Sequence, residues 1–269
     1  MSPTYILAVL MKGCENVTNF KKTLGQNFGK SIQGEMLRQK IDNLYMEAEG
    51  QREERYGLHA SAIIASDEQF CLRQQVLSLF FKMNQGEELP VKTRKIFHHG
   101  NTIHEEVYDV FRKTGVMIDS EVTRYIDKYD LNYTIDANVH LLNKDWICDV
   151  KSMNSFAWEK ATGHPSGEKQ VMFYMWLQKN PNGFVLAYNK NTSEIKCFPV
   201  KFDKEKVRPF VDRLKEIQVC KKEFLDDGTL PDRKCKNCDT KKAIECSMRD
   251  ACFEIGMGRV KLKSGKAGS

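Results

Sequence analysis

Apolar residues alternate with polar ones in three consecutive stretches, EVTRYI, YTIDANVHLL and WICDVKS, set apart by the turn-like DKYDLN and NKD. A period of two predicts three successive strands. The period then lengthens over SGEKQVMFYMWLQK, which predicts a helix, and two further strands follow at GFVLAYNK and IKCFPVKF. Upstream, DEQFCLRQQVLSLFFKM predicts a helix opening at Asp67, with Ser66 or Asp67 as its cap and Phe70, Leu72, Val76, Leu77 and Phe80 as apolar faces. A second helix is predicted after Gly100, with Ile103, Val107, Val110 and Phe111 as its stripe. The last long helix runs from about Lys204 to Phe224, with Pro209 near its first turn and Gly228 closing the segment after it. Helix, helix, three strands, helix, two strands, helix is the order of an α/β domain with a mixed sheet flanked by helices.

This pattern divides the chain. Residues 1–58 carry helical spacing at Met36, Leu37, Ile41, Leu44 and Tyr45 and read as an N-terminal helical extension. Residues 59–228 form the predicted core, 229–256 a cysteine-bearing tail packing on it, and 257–269 a tip expected to be disordered.

Composition narrows the class. With 269 residues, 41% hydrophobic and 29% charged, the chain can bury one sizeable core. A net charge of +6 suits a polyanionic partner. The apolar start TYILAVLM is too short for a membrane span and lacks a basic flank or cleavage site, and no other segment is apolar enough. Nine cysteines at uneven spacing argue against a disulfide framework. Four of them, Cys235, Cys238, Cys246 and Cys252, crowd into KCKNCDTKKAIECSMRDAC, which points to a bound metal or cluster. Those four alone could hold tetrahedral zinc.

The chemistry converges on the strands. Asp149 and Lys151 are two apart and share a strand face, while Val150 points into the core. If the neighbouring strands pair as a hairpin, Asp136 comes beside Asp149. Paired carboxylates suit Mg²⁺ or Mn²⁺, and a nearby lysine can orient water and offset transition-state charge. Both aspartates interrupt apolar strands, where aspartate is disfavoured. Gln170 and Tyr174, four apart, share one face of the next helix. His104, in GNTIHEEV, is a candidate further ligand, ahead of His98 and His99.

Taken in order, Cys71-Leu-Arg, Gly100-x-x-x-His104, Ile135-Asp136-Ala137, Asp149-x-Lys151, Gln170-x-x-x-Tyr174 and the clustered cysteines resemble the PD-(D/E)xK nucleases of the RecB-like type. Within them the set resembles the iron–sulfur branch, which includes CRISPR-adaptation exonucleases, the AddB nuclease domain and phage-encoded exonucleases. The resemblance spans roughly residues 66 to 253. It implies a restriction-endonuclease-like fold and a metal-dependent DNA exonuclease acting in recombination, repair or phage DNA processing. It implies that His104, Asp136, Asp149 and the Val150 carbonyl hold the metal, that Lys151 serves catalysis, and that Gln170 and Tyr174 lie on the DNA-facing helix. It also implies a 4Fe–4S cluster held by one early and three late cysteines. Here Cys71, Cys235, Cys246 and Cys252 are assigned, with Cys238 as the alternative to Cys235, because Cys246 and Cys252 keep the x5 spacing of that branch. A cytoplasmic setting in a bacterial or phage-infected cell, and a recombination or CRISPR-adaptation protein as partner, follow from the same likeness. Cys14, Cys148, Cys197 and Cys220 read as plain thiols.

Basic residues gather at Lys92, Arg94 and Lys95, at Lys201, Lys204 and Lys206, and from Arg233 to Lys242, where they could contact DNA phosphates without reading sequence. Phe156 and Trp158 could stack on an unpaired base, although core packing suits at least one of them. The rival from another class is a non-catalytic iron–sulfur or zinc DNA-binding module with a decayed nuclease site.

Overall fold

The computed structural model describes residues 32–47, 57–82 and 89–254. The expectations for TYILAVLM, for Cys14 and for the 257–269 tip lie outside the described residues. The chain divides into two compact units, Met1–Arg52 with Leu89–Ile96, and Glu53–Glu88 with Phe97–Ser269.

In the first unit, helix α1 (Ile32–Glu47) ends against a cation from the following segment. Arg94 donates to the carbonyls of Tyr45 and Met46, which are among the last of the helix. Lys95 pairs with Asp42 at 2.5 Å and lies 5.4 Å from the centre of the Tyr45 ring.

Among the described residues the second unit is built on six strands: β1 (Leu58–His59), β2 (Met117–Ile126), β3 (Leu131–Leu141), β4 (Lys144–Met153), β5 (Asn182–Asn189) and β6 (Ile195–Lys201). The order is β1-β3-β4-β5-β6, with β2 also pairing β3. β1 runs parallel to β3 and β5 parallel to β4, while the other pairs are antiparallel, so the sheet is mixed as the pattern predicts. Leu142 and Asn143 both take positive φ, 52° and 59°, and make the two-residue turn that joins β3 to β4. β5 is buried along nearly its whole length, as a central strand covered on both faces should be.

The helices are α2 (Ala60–Ile63), α3 (Leu72–Phe80), α4 (Val91–Lys113), α5 (Ser155–Lys160), α6 (Pro165–Gln178), α7 (Lys204–Asp227), α8 (Lys241–Ile244) and α9 (Arg249–Glu254). One core joins α6 and α7 to the sheet through Val171, Phe173, Met175, Leu214, Ile217, Ile135, Ile147 and Val185. The other places Ile103, Val107 and Tyr108 of α4 against Ala137, Val139, Cys148 and Val150. Asp203 caps α7 with its carboxylate, and Gly228 ends it at φ 81°.

Three sequence readings are corrected. The helix expected from Asp67 begins at Leu72, and Cys71 is its extended first flank. Asp67 does not cap it, because its carboxylate accepts from Arg213 at 2.5 Å instead, and Arg213 also donates to the Ile63 and Ala65 carbonyls. The helix expected after Gly100 begins at Val91 and carries Gly100 inside it. Of its predicted stripe, Val110 is half exposed, and Tyr108 takes the buried place beside Ile103 and Val107. Finally, α5 had no counterpart in the hydrophobic pattern. Asn154 caps it by accepting from the Ala157 amide at 2.8 Å.

Candidate active site

β3 and β4 pair from their turn as far as Ala137 and Cys148 and then part. Beyond that point β4 runs with β5, and β3 runs with β1 and β2. Asp136 and Asp149 are the first residues past the last pair, so each stands at the mouth of a fork in the sheet. The odd residues of β3 change company at the same point. Leu131, Tyr133 and Ile135 belong to the α6 core, whereas Ala137 and Val139 belong to the α4 core.

The fork is bridged by a side chain in place of the backbone ladder. The Val150 amide donates to Asp136 Oδ2 at 2.7 Å. In an extended strand a residue's N–H and C=O lie on one edge, so the Val150 carbonyl shares the fork edge with Asp136.

Asp149 is 1% exposed. Its Oδ1 accepts from Lys151 Nζ at 2.7 Å, and among the described residues its Oδ2 has no partner. A buried carboxylate oxygen left without a donor is costly unless a cation or proton meets it. Burial pushes the Asp149 carboxyl up to about 7, Asp136 adds to the rise, and Lys151 opposes it. Gly167, at the start of α6, closes over the same oxygen. A Cβ there would stand 2.9 Å from Asp149 Oδ2 and 3.1 Å from His164 Nδ1. Nothing in the hydrophobic pattern marked Gly167, because its demand is a close approach between distant segments. His164, also unmarked, caps α6 by accepting from the Gly167 amide at 3.1 Å. Burial and Lys151 hold its imidazole below the usual range, as an acceptor cap requires.

The shifted carboxyl makes stability depend on pH. An acid whose folded pKa is raised holds its proton where the unfolded chain would release it. Its contribution is therefore present below the ordinary aspartate range of about 4 and is lost as pH rises through about 7. Metal-free Asp149→Asn should melt higher than the native chain above about pH 7, with the gap closing in acid. Melting curves across pH with a chelator present test this, and an unchanged pH slope would contradict it.

The other predicted residues fall as follows. Gln170 donates to the Tyr174 hydroxyl at 3.1 Å. Tyr174 is 4% exposed. Burial and the nearby Asp149 and Asp136 push its hydroxyl above the usual range, while Gln170 opposes the shift. The pair thus stands behind the carboxylates, and Gln170 keeps the more open position. His104 is half-buried on α4, with Nδ1 3.2 Å from the Tyr108 hydroxyl. Burial first, then Asp136 and Glu121, push the Tyr108 hydroxyl up, which ties this pair to the acidic fork. His98 and His99 are exposed.

Trp158 is buried, whereas Phe156 is 72% exposed with Lys160 Nζ 4.2 Å from its ring centre. Several of the basic residues are committed to protein contacts. Arg233 donates to the Cys252 carbonyl at 3.0 Å, Lys234 to the Phe70 carbonyl at 2.9 Å, and Lys242 to the Glu68 carbonyl. Arg73, 8% exposed, donates to the Pro231 carbonyl at 2.8 Å. The bonds of Arg73, Lys234 and Lys242 join residues 229–254 to the segment around Cys71, while that of Arg233 stays within the tail. A small core of Leu77, Phe81, Met248 and Ala251 lies between them, with Cys246 and Cys252 at its edge. Burial raises the Cys246 thiol, and Cys71, Cys252 and Cys235 stand close enough to raise it further. Cys238 is absent from that set and turns to Asp239 at 3.5 Å. Among the described residues, no three His, Cys, Asp or Glu side chains are already gathered closely enough to hold a metal ion. No described helix is long and apolar enough to cross a membrane.

No protein-family model and no curated protein matches the chain. Solved structures do. LHK-Exo in complex with dAMP matches at 13% identity and TM-score 0.45, over 63% of this chain and 90% of that one. LHK-Exo is an alkaline exonuclease from Laribacter hongkongensis. A phage-related exonuclease from Haemophilus somnus 129PT matches at 15% identity and TM-score 0.40, over 70% of this chain and all of that one. SSO0001 matches at 14% and 0.40, over 67% and 86%.

Proposed function

We propose that this chain is a Mg²⁺- or Mn²⁺-dependent DNA exonuclease, with Asp136, Asp149, His104 and the Val150 carbonyl as the groups that hold the ion. The observation that carries the reading is Asp149 Oδ2, a buried carboxylate oxygen without a donor among the described residues, at the mouth of a fork that also presents Asp136 and a backbone carbonyl. Hard oxygen donors of this kind suit a hard divalent cation. Such an ion, when bound, would polarise a phosphate oxygen and activate water.

The chain's own groups supply the rest. Asp136 uses Oδ2 to hold the Val150 amide and so keeps the fork from zipping shut. Lys151 holds its ammonium against Asp149, and at 26% exposure it can still reach an incoming phosphodiester. It offsets charge as the phosphate is attacked and orients the attacking water. Gln170 and Tyr174 brace the carboxylates from α6. The exposed Lys201, Lys204 and Lys206 are available to the DNA backbone.

The reading extends to the tail. Cys71, Cys235, Cys246 and Cys252 suit a 4Fe–4S cluster, because four thiols share one neighbourhood on an edge that tail cations already draw together. Four thiolates also suit zinc, and metal analysis separates the two. A cluster there would fasten the tail to α3, a structural role apart from hydrolysis.

The test is release of nucleotides from single- and double-stranded DNA, labelled at either end, across a Mn²⁺ titration. Metal-dependent release supports the reading. Tight DNA binding without release at any metal concentration would favour a binding module with a decayed site. His104→Ala should raise the Mn²⁺ requirement by about tenfold or more and leave the melting temperature nearly unchanged, because helices tolerate alanine well. An unchanged metal titration would remove His104 from the ligand set.

A further inference from the structure

His104 is held by a second group that is itself held by a third. Tyr108 lies one helical turn on, its side chain fully buried, and its hydroxyl stands between His104 Nδ1 at 3.2 Å and Glu121 Oε1 at 3.4 Å. Glu121 is an unusual residue on β2. It has φ 52°, a left-handed conformation that disfavours any side chain. The pairs Ser120 with Ala137 and Val122 with Ile135 bracket it, so it sits across from Asp136. A glutamate kept in a strained backbone beside an acidic site, with its carboxylate turned to a buried tyrosine, calls for a reason.

Proton counting supplies one. An ionised carboxylate only accepts, and a tyrosine hydroxyl has one proton to give. If that proton went to His104, the tyrosine and glutamate oxygens would face each other lone pair to lone pair. The hydroxyl therefore donates to Glu121, and its oxygen accepts from His104 Nδ1–H. The imidazole is then left with a bare lone pair on Nε2, the form in which a neutral histidine binds a cation.

We propose that Tyr108 and Glu121 are positioning residues that fix His104 in its Nδ1–H tautomer and so present Nε2 to the divalent ion. The inference rests on the reading of His104 as a metal-facing group. It goes beyond that reading by assigning work to two residues that touch neither metal nor DNA.

Nitrogen and carbon NMR of the imidazole in the metal-free full-length chain, at alkaline pH, reads the tautomer directly. His104 is assigned by the signals lost in His104→Ala. The native protein should show Nδ1–H. In Glu121→Ala the tyrosine proton is released to turn toward Nδ1, so His104 should pass to the Nε2–H form. In Tyr108→Phe the preference should weaken. Both variants should bind Mn²⁺ about tenfold more weakly by calorimetry. Glu121 is exposed, so its variant remains informative if Tyr108→Phe fails to fold. An Nε2–H tautomer in the native chain, or Nδ1–H retained in Glu121→Ala, would overturn the proposal. The two readings fail separately. Nδ1–H in a chain that cleaves no DNA keeps the hydrogen-bond chain and removes the nuclease, whereas metal-dependent cleavage with Nε2–H does the reverse.

Discussion

Lys151→Ala should lower metal-dependent DNA cleavage by about two orders of magnitude or more while the protein stays folded. Lys151 has two tasks that the substitution removes together. Its ammonium is the cation beside the fork, and it is the one hydrogen-bond donor to Asp149 in the described structure. Without it, nothing opposes the burial that already pushes the Asp149 carboxyl up to about 7, so more of that carboxyl would be protonated near neutrality. Residual activity of the variant should therefore climb with pH further into the alkaline range than that of the native chain. Asp149→Ala and Asp136→Ala should be at least as severe and should show no such recovery, since the carboxylate itself is gone. Cleavage by well-folded Lys151→Ala within a few-fold of native would sink the assignment of this face.

The second large effect concerns the tail. Anaerobically purified protein should be brown and contain iron and acid-labile sulfide. Cys71→Ser, Cys246→Ser and Cys252→Ser should each bleach it. Loss of a cross-link between α3 and residues 229–254 should also cost about 3 kcal/mol or more, which is a melting temperature lower by about 10 °C in a chain of this size. The penalty is large because Cys246 and Cys252 border the small core of Leu77, Phe81, Met248 and Ala251, which cannot hold the tail as a large core would. Cys220→Ser should change neither colour nor stability much. Cys238→Ser should keep its colour, because Cys238 is not among the thiols grouped around Cys246. A colourless protein holding one zinc and no sulfide would contradict the cluster, and full colour in Cys71→Ser would contradict the link to α3.

The sheet was largely legible because its information is local. Alternation named β3 and β4 to within two residues at each end and the second half of β2, whose first four residues it missed. It put Asp149 and Lys151 on one face, and the hairpin it suggested brought Asp136 beside Asp149. Helix boundaries were less so, because tertiary partners decide them. Asp67 has the chemistry of a cap, yet its carboxylate belongs to Arg213, distant in sequence. Gly100 reads as a boundary, but it lies inside α4, where a Cβ would meet nothing within 4 Å. A glycine there costs only about 1 kcal/mol, which the residues on either side outweigh. The least legible parts of the site were those made by approach between segments. No pattern in the sequence marks Gly167 as the residue lying against Asp149, or Glu121 as the strained acceptor for Tyr108. Tyr108 itself could have been found, since it stands four residues after His104 and therefore on the same helical face. The basic stretch from Arg233 to Lys242 was read for DNA, whereas Arg233, Lys234 and Lys242 bind carbonyls of the protein. Their charge gave no hint of that use.

The most direct test of the account sets a linear duplex labelled at its ends beside a covalently closed circle of the same sequence. Each is incubated with the full-length protein in Mn²⁺ and, separately, with chelator. The account predicts steady release of label from the linear DNA, survival of the closed circle, no release in chelator, and none from Asp149→Asn in either condition. Release that persists in chelator, or equal loss of the circle and the linear DNA, would contradict a metal-dependent exonuclease built on Asp136, Asp149 and Lys151.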